Sequence, residues 1–442
     1  MSQETEAAGE AGASLSAQEW KKRVDNASDS GVFDAHACRL SKFPEEILNF
    51  KNLKKIFLQN NYIETLPSEI GNFPNLAILY LQENKLHDVP PDLGKLSCLS
   101  ILALHGNQIR YIPRDLGHCQ SLQVLSLSNN RLTQIPLEIG RCNKLKSLDL
   151  KDNPDIAIPP RLCKWTTLKS LSMNNNEVKS LPSKFGQLVH LVSLSFASNR
   201  LVVLPKSFAF LSRLKSLNLD SNLLTFLPLE IARLTAITSI RLTDNQVAVL
   251  PPQIRAHKYV ESLDLSYNLI SSIAPQVSAL RNLLSLRLSY NTLTLLPPEL
   301  GKLRSLTNLD IVGNRISYFP NHFSALTSLR VLKISRNEFK LIPDCVRNFT
   351  SLRVLSASRN KLVTLSSVLE GCILLEQLWL QENLLTSLHP MIGNLERLNS
   401  LNFGRNAITS IPPQLGSCVA LTALGIYGNG LSRLPPSLKK LR

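Results

Sequence analysis

Shifted against itself by 23 residues, the chain returns an asparagine in the same place seventeen times without an insertion or deletion: Asn61, Asn84, Asn107, Asn130, Asn153, Asn176, Asn199, Asn222, Asn245, Asn268, Asn291, Asn314, Asn337, Asn360, Asn383, Asn406 and Asn429. Apolar residues precede each Asn by eight, five and three positions, as Leu122, Leu125 and Leu127 precede Asn130. Others follow at plus two, plus five, plus nine and plus twelve, usually with Pro at plus six: Leu132, Ile135, Pro136, Ile139 and Cys142. A chain of 442 residues would ordinarily divide into several cores. Stacked layers lift that limit, because each coil lengthens the core without thickening it.

The LxL step alternates, which suits a short strand with its leucines inward. Stacked coils would align these strands as one parallel sheet. The Pro after plus five has no amide hydrogen and a fixed φ, so the return path should be irregular, with short helical turns around the IGxL segment. Where the strand turns, backbone donors and acceptors would be buried, and a carboxamide offers both partners on a short arm. Each Asn is therefore expected to bridge neighbouring coils as one rung of a structural ladder. Three departures stand out. Pro154 after Asn153 moves the plus-two apolar residue on to Ile156; Ala274, Ser366 and His389 replace Pro; and His257 takes an otherwise apolar plus-twelve place, where it reads as a hydrogen-bonded core residue.

The LxxLxLxxN pattern resembles the leucine-rich-repeat family over residues 39–442. The resemblance implies an α/β solenoid, a horseshoe with a parallel concave β-sheet and an irregular or short-helical convex side. Ahead of it, residues 15–38 read as a cap helix and a degenerate first coil. Ser16 and Glu19 form a capping box, Leu15 and Trp20 a hydrophobic staple, and Trp20, Val24 and Ala27 share one face, which predicts a helix near 17–28 over the open end of the core. The degenerate coil, Phe33, Ala35, Cys38, Leu40, Phe43 and Pro44, keeps the spacing with Cys in the Asn place. Residues 1–14 form an acidic tail, expected to be disordered. At the other end Leu438 and Leu441 complete a repeat.

Residues 1–19 hold four Glu and no Lys or Arg, unlike a secretory signal, and no run of eighteen apolar residues exists to span a bilayer. The eight cysteines are dispersed, with Cys119, Cys142, Cys372 and Cys418 on plus-twelve places as small apolar residues, which points to a reducing compartment. A cytoplasmic location follows, with the nucleus left open. There is no HExxH, no Cys and His ligand spacing and no Gly-rich phosphate loop, so neither an enzyme, a metal site, a cofactor nor a small-molecule substrate is expected.

Function is sought on the concave face, where residues four, two and one before each Asn project or border the sheet. Arg241, Asp264, Arg287, Asp310 and Lys333 alternate in sign on successive coils, and self-pairing is the first reading of that ladder. Around it stand Tyr267, Tyr290, Trp379, Arg336, Arg359 and Arg405, residue types that dominate protein-binding hot spots. A smaller patch joins Phe57 and Tyr80 near Lys54 and Lys55. The net charge of +16 favours an acidic partner. The alternative is an anionic surface, nucleic acid or membrane, held by basic flanks such as Lys95, Arg141, Lys164, Arg233 and Lys302; nucleic acid is disfavoured because no aromatics interleave with them.

The LPxxIGxLxxL form, with 23-residue coils and no cysteine caps, resembles intracellular Ras-group leucine-rich-repeat proteins: the Ras-binding scaffold, the Ras suppressor and plant relatives. That resemblance implies a non-enzymatic scaffold in small-GTPase or phosphatase signalling. Two of the group's marks are missing. Arg23-Val24-Asp25-Asn26 lacks the Phe of a phosphatase-docking RVxF, and the plant GVYW is absent.

Overall fold

The computed structural model describes residues 16–159, 162–227 and 229–440. The expected tail at 1–14, Leu15 of the staple and the final Leu441 lie outside them. The chain divides into two compact units, Met1–Leu201 with Pro205–Leu214, and Val202–Leu204 with Lys215–Arg442. Among the described residues run eighteen three-residue strands, numbered in chain order from β1 (Val32–Asp34) to β18 (Ala423–Gly425). In the first unit β1 to β8 (Ser193–Ser195) pair in succession, each parallel to the next. In the second, β9 (Ser216–Asn218) to β18 do the same. The register advances by one repeat, Leu102 to Leu125 to Leu148, so every residue meets its counterpart on the next coil.

One coil shows why the pattern folds this way. Leu122, Leu125, Leu127, Leu132, Ile135, Ile139 and Cys142 are all buried, so each apolar place of the repeat points inward. Pro136 ends the extended segment and opens a 3-10 turn, Leu137–Arg141, in which Ile139 donates its amide to the Pro136 carbonyl at 3.2 Å. This turn buries one side chain, Ile139, and others bury two at most among those described, as Phe208 and Ala209. A Cβ on Gly117 would lie 2.3 Å from the Glu138 carbonyl oxygen of the next turn, which is the reason for Gly in the IGxL segment.

The carboxamides do what a buried turn requires. Asn130 donates through Nδ2 to the carbonyls of Leu127 in its own coil and Leu104 in the one before, both at 3.0 Å. Its Oδ1 accepts the Ile109 amide at 3.0 Å. The same bonds recur along the chain, and the side chains from Asn61 to Asn383 are buried, while Asn406 and Asn429 are half-buried near the last coils. At Asn153 the pattern slips, because Pro154 displaces the next residues. There the backbone amide of Asn153 itself donates to Asn176 Oδ1 at 2.7 Å, and Ile156 is still buried.

Helix α1 (Ala17–Ser30) begins at the Ser16–Glu19 capping box and runs two residues beyond the expected end, closing at Gly31 with φ 71°. Trp20 lies edge-on to Phe33, ring centres 5.8 Å apart, which seats the helix on the first coil. That degenerate coil supplies β1 in full register with β2 (Lys55–Phe57).

Two kinds of polar residue stand in the core. The thiols of Cys119, Cys142, Cys372 and Cys418 donate to carbonyls of the preceding turn at 3.1 to 3.4 Å, a role their apolar reading did not include. Burial pushes these thiols up, Cys119 and Cys372 to about 12, Cys142 and Cys418 to about 11. His257 is fully buried, with Nδ1 3.2 Å from the Leu234 carbonyl and Nε2 without a partner. A carbonyl only accepts, so Nδ1 carries the proton. Burial lowers the imidazole pKa, and the bond to Leu234 opposes that only in part.

Replacing Asn245 by Leu should orphan the Leu224 amide, while the Leu219 carbonyl keeps its bond from Asn222; the cost should be roughly 1 to 3 kcal/mol, measurable by denaturant unfolding. For His257 the folded pKa is depressed, so its contribution to stability is full above about pH 6.5 and is lost as pH falls toward the folded value. His257→Leu should therefore melt higher than the parent at pH 5 and show a flatter dependence of melting temperature on pH.

Candidate functional site

The outward side chains of the strands were read as a charge ladder, and the structure sorts it into pairs. Each cation reaches back to the coil before it. Arg241 meets Asp220 at 2.7 Å, Arg287 meets Asp264 at 3.5 Å and Lys333 meets Asp310 at 3.8 Å. Asp220, two places before Asn222, lies outside the column in which the ladder was read, and its carboxylate is largely covered. Arg241 and Arg287 thus enter the face already partnered.

The second feature is conformational. The residue just before each ladder Asn is left-handed throughout, with φ near 53° at Tyr290, Arg359 and Arg405, 54° at Tyr267 and 55° at Arg336. For an L-residue this region costs roughly 1 to 2 kcal/mol. Six other coils place Gly106, Gly313, Gly428, Asn60, Asn129 or Asn175 there, the residue types that bear it best, and the rest place Glu83, Asp152, Ser198, Ser221, Asp244 or Glu382. Tyr and Arg here are chosen against the backbone's preference.

The rings use that position to stack. Tyr267 lies on Tyr290 with centres 4.5 Å apart and planes 15° from parallel. Tyr290 in turn covers Gly313, where a Cβ would come within 2.7 Å of its ring. Tyr267 remains half-exposed, and its hydroxyl pKa is raised, first by desolvation and then by Tyr290. Along the same column Arg336 and Arg405 make no ion pair among the described residues, whereas Arg359 binds Glu382 at 2.9 Å. Arg405 instead sits 6.0 Å from the centre of the Tyr427 ring, which lies against Gly404. Tyr427 was missed in the sequence, although the glycine one coil away in the same column is a signal for it. Trp379 stands on its strand between Ser356 and Asn402, whose short side chains leave the indole half-exposed. In the first unit Phe57 and Tyr80 touch, ring centres 5.2 Å apart.

Among the described residues no group of three or more His, Cys, Asp or Glu is placed to hold a metal, and no helix is long and apolar enough to cross a membrane. Models of the leucine rich repeat match residues 51–109, 74–132, 190–247 and 258–316, and a two-copy repeat model matches 120–160. A leucine-rich-repeat protein of Leptospira interrogans is 30% identical, with 96% of this chain and 97% of that chain covered and a TM-score of 0.76. The chain belongs to the leucine-rich-repeat family. The plant peptide hormone receptor RGFR1, solved in complex with RGF2, is 26% identical over 90% of this chain and 74% of its own, TM-score 0.66. YopM of Yersinia enterocolitica, 21% identical over 98% and 95%, TM-score 0.60, shares the fold. No curated protein matches. Leucine-rich-repeat proteins generally bind other proteins, and they are typically non-enzymatic scaffolds.

The tyrosine stack can be tested alone. Gly313→Ala should cost about 1 to 2 kcal/mol through its left-handed backbone and displace the Tyr290 ring, so unfolding and tyrosine fluorescence should change together.

Proposed function

We propose that this leucine-rich-repeat chain is a non-enzymatic scaffold that docks an acidic protein partner on the sheet face of its second unit. Tyr267, Tyr290, Arg336, Arg359, Trp379 and Arg405 make the contact. The observation that carries this reading is the left-handed column, where the stacked Tyr267 and Tyr290 and the arginines Arg336, Arg359 and Arg405 gather within one unit. The core fixes this backbone on every coil and leaves the side chain free, so Tyr and Arg gathered there are available for recognition. Arg336 and Arg405 bring positive charge without an internal carboxylate, which suits an acidic surface. Arg241 and Arg287, already held by carboxylates, shape the margin. Phe57 and Tyr80 provide a separate, smaller contact on the first unit. A related receptor, 26% identical, is solved in complex with the peptide hormone RGF2, an instance of this fold serving a protein ligand.

The LPxxIGxLxxL form extends the proposal to a cytoplasmic role in small-GTPase signalling, with a Ras-type GTPase or its phosphatase complex as partner. Immobilised Ras-type GTPase, loaded with GTP or GDP analogue, should retain the parent chain. Tyr267→Asn/Tyr290→Asn should bind more weakly by about ten-fold or more, as hot-spot losses do, while melting no lower than the parent because Asn suits the left-handed backbone. Trp379→Ala/Arg359→Ala should also lose the partner. Undiminished capture by both double variants would remove the sheet face from the function, and capture of neither nucleotide form would remove the GTPase.

A further inference from the structure

Three coils of the first unit gather positive charge that no carboxylate nearby answers. Lys146 and Lys169 occupy the same place on adjacent coils, seven residues before Asn153 and Asn176. Their backbones are therefore about 4.8 Å apart, and both lysines line one cleft. Lys144 and His190 join them, with Gln123, Asn143 and Thr167, around an open cleft of about 330 Å³. The three lysines are exposed, and none makes an ion pair among the described residues. No Asp or Glu lines the cleft. Elsewhere the chain cancels such charges between coils. In the second unit Arg353 and Glu376, at this same place in the repeat, form an ion pair, and Arg200 with Glu177 does so on another edge of the first.

The polar groups are already organised. Lys146 Nζ donates to Gln123 Oε1 at 2.8 Å, which ties the ammonium to the neighbouring coil. His190 Nδ1 lies 2.9 Å from the Thr166 carbonyl, so that nitrogen carries the proton and the ring is oriented with Nε2 uncommitted. We infer that this cleft is a binding site for a phosphorylated small molecule, a phosphomonoester or diphosphate whose oxygens bridge Lys146 and Lys169. A carboxylate would bring one charge to three ammonium groups, whereas a phosphate brings close to two and three acceptor oxygens. The volume is at the lower end of small-ligand sites, about 300 to 1,000 Å³. No aromatic ring lines the cleft to stack a base, which turns the reading away from single-stranded nucleic acid. The site shares no residue with the docking face and does not depend on it.

The test is titration calorimetry of the full chain with inorganic pyrophosphate. Lys146→Gln/Lys169→Gln should weaken binding by about ten-fold or more, as loss of two charge-assisted partners does. The control Lys179→Gln/Lys206→Gln removes the same charge from exposed places of the same unit outside the cleft and should bind like the parent. Equal weakening in both variants, or no heat from the parent at millimolar pyrophosphate, overturns the site. Sedimentation with phosphatidylcholine vesicles, with and without phosphatidylinositol bisphosphate, separates the sources. Pelleting lost only in the cleft variant assigns a lipid headgroup, and pyrophosphate binding without pelleting assigns a soluble phosphate.

Discussion

A carboxamide that donates to two carbonyls and accepts one amide across the gap between coils is the interaction on which everything else here rests. Removing it would leave a turn with buried, unpaired backbone at every layer. Its demand explains the constancy of the period: a single inserted residue would slip the amide past the carbonyl it must meet. Asn153 shows how far that demand bends, since Pro154 shifts the following chain and Asn153 answers with its own backbone amide.

The turn imposed by the Asn has a second effect, on the residue before it. That residue is held left-handed by bonds made on either side of it, and its own side chain takes no part. The core therefore dictates the backbone at this edge but leaves its chemistry open. Tyr267 and Tyr290 stack there, Arg336 and Arg405 carry charge there, and Gly313 gives a ring room to lie down. The lysine cleft in the first unit arises from the same parallel register, which brings identical places within one strand spacing and so turns a column of lysines into a site.

Most of the fold was legible because it is written seventeen times. Periodicity located the strands, the proline marked the return path, and the spacing of Phe33 and Ala35 announced a further coil. What the pattern could not carry was anything decided by side-chain reach. The sign alternation from Arg241 to Lys333 suggested neighbours along one column, yet Arg241 turns to Asp220 in another. The thiols of Cys119 and Cys142 looked like apolar filling, and only their distance to a carbonyl makes them donors. The left-handed column was hinted at by Gly106, Gly313 and Gly428 with Asn60, Asn129 and Asn175, but the Glu, Ser, Tyr and Arg residues between them hide it until the backbone is seen.

A position whose backbone is held from outside has a peculiar freedom. Any side chain placed there is displayed at the same angle and at the same interval as its counterparts on the coils above and below. The row before the asparagines behaves like a keyboard of fixed pitch: a key can be exchanged without moving the frame, and only the keys it touches, as Gly313 touches Tyr290, must be retuned with it. New specificity in such a chain can arise by point changes along a single line, while the layers beneath go on stacking undisturbed.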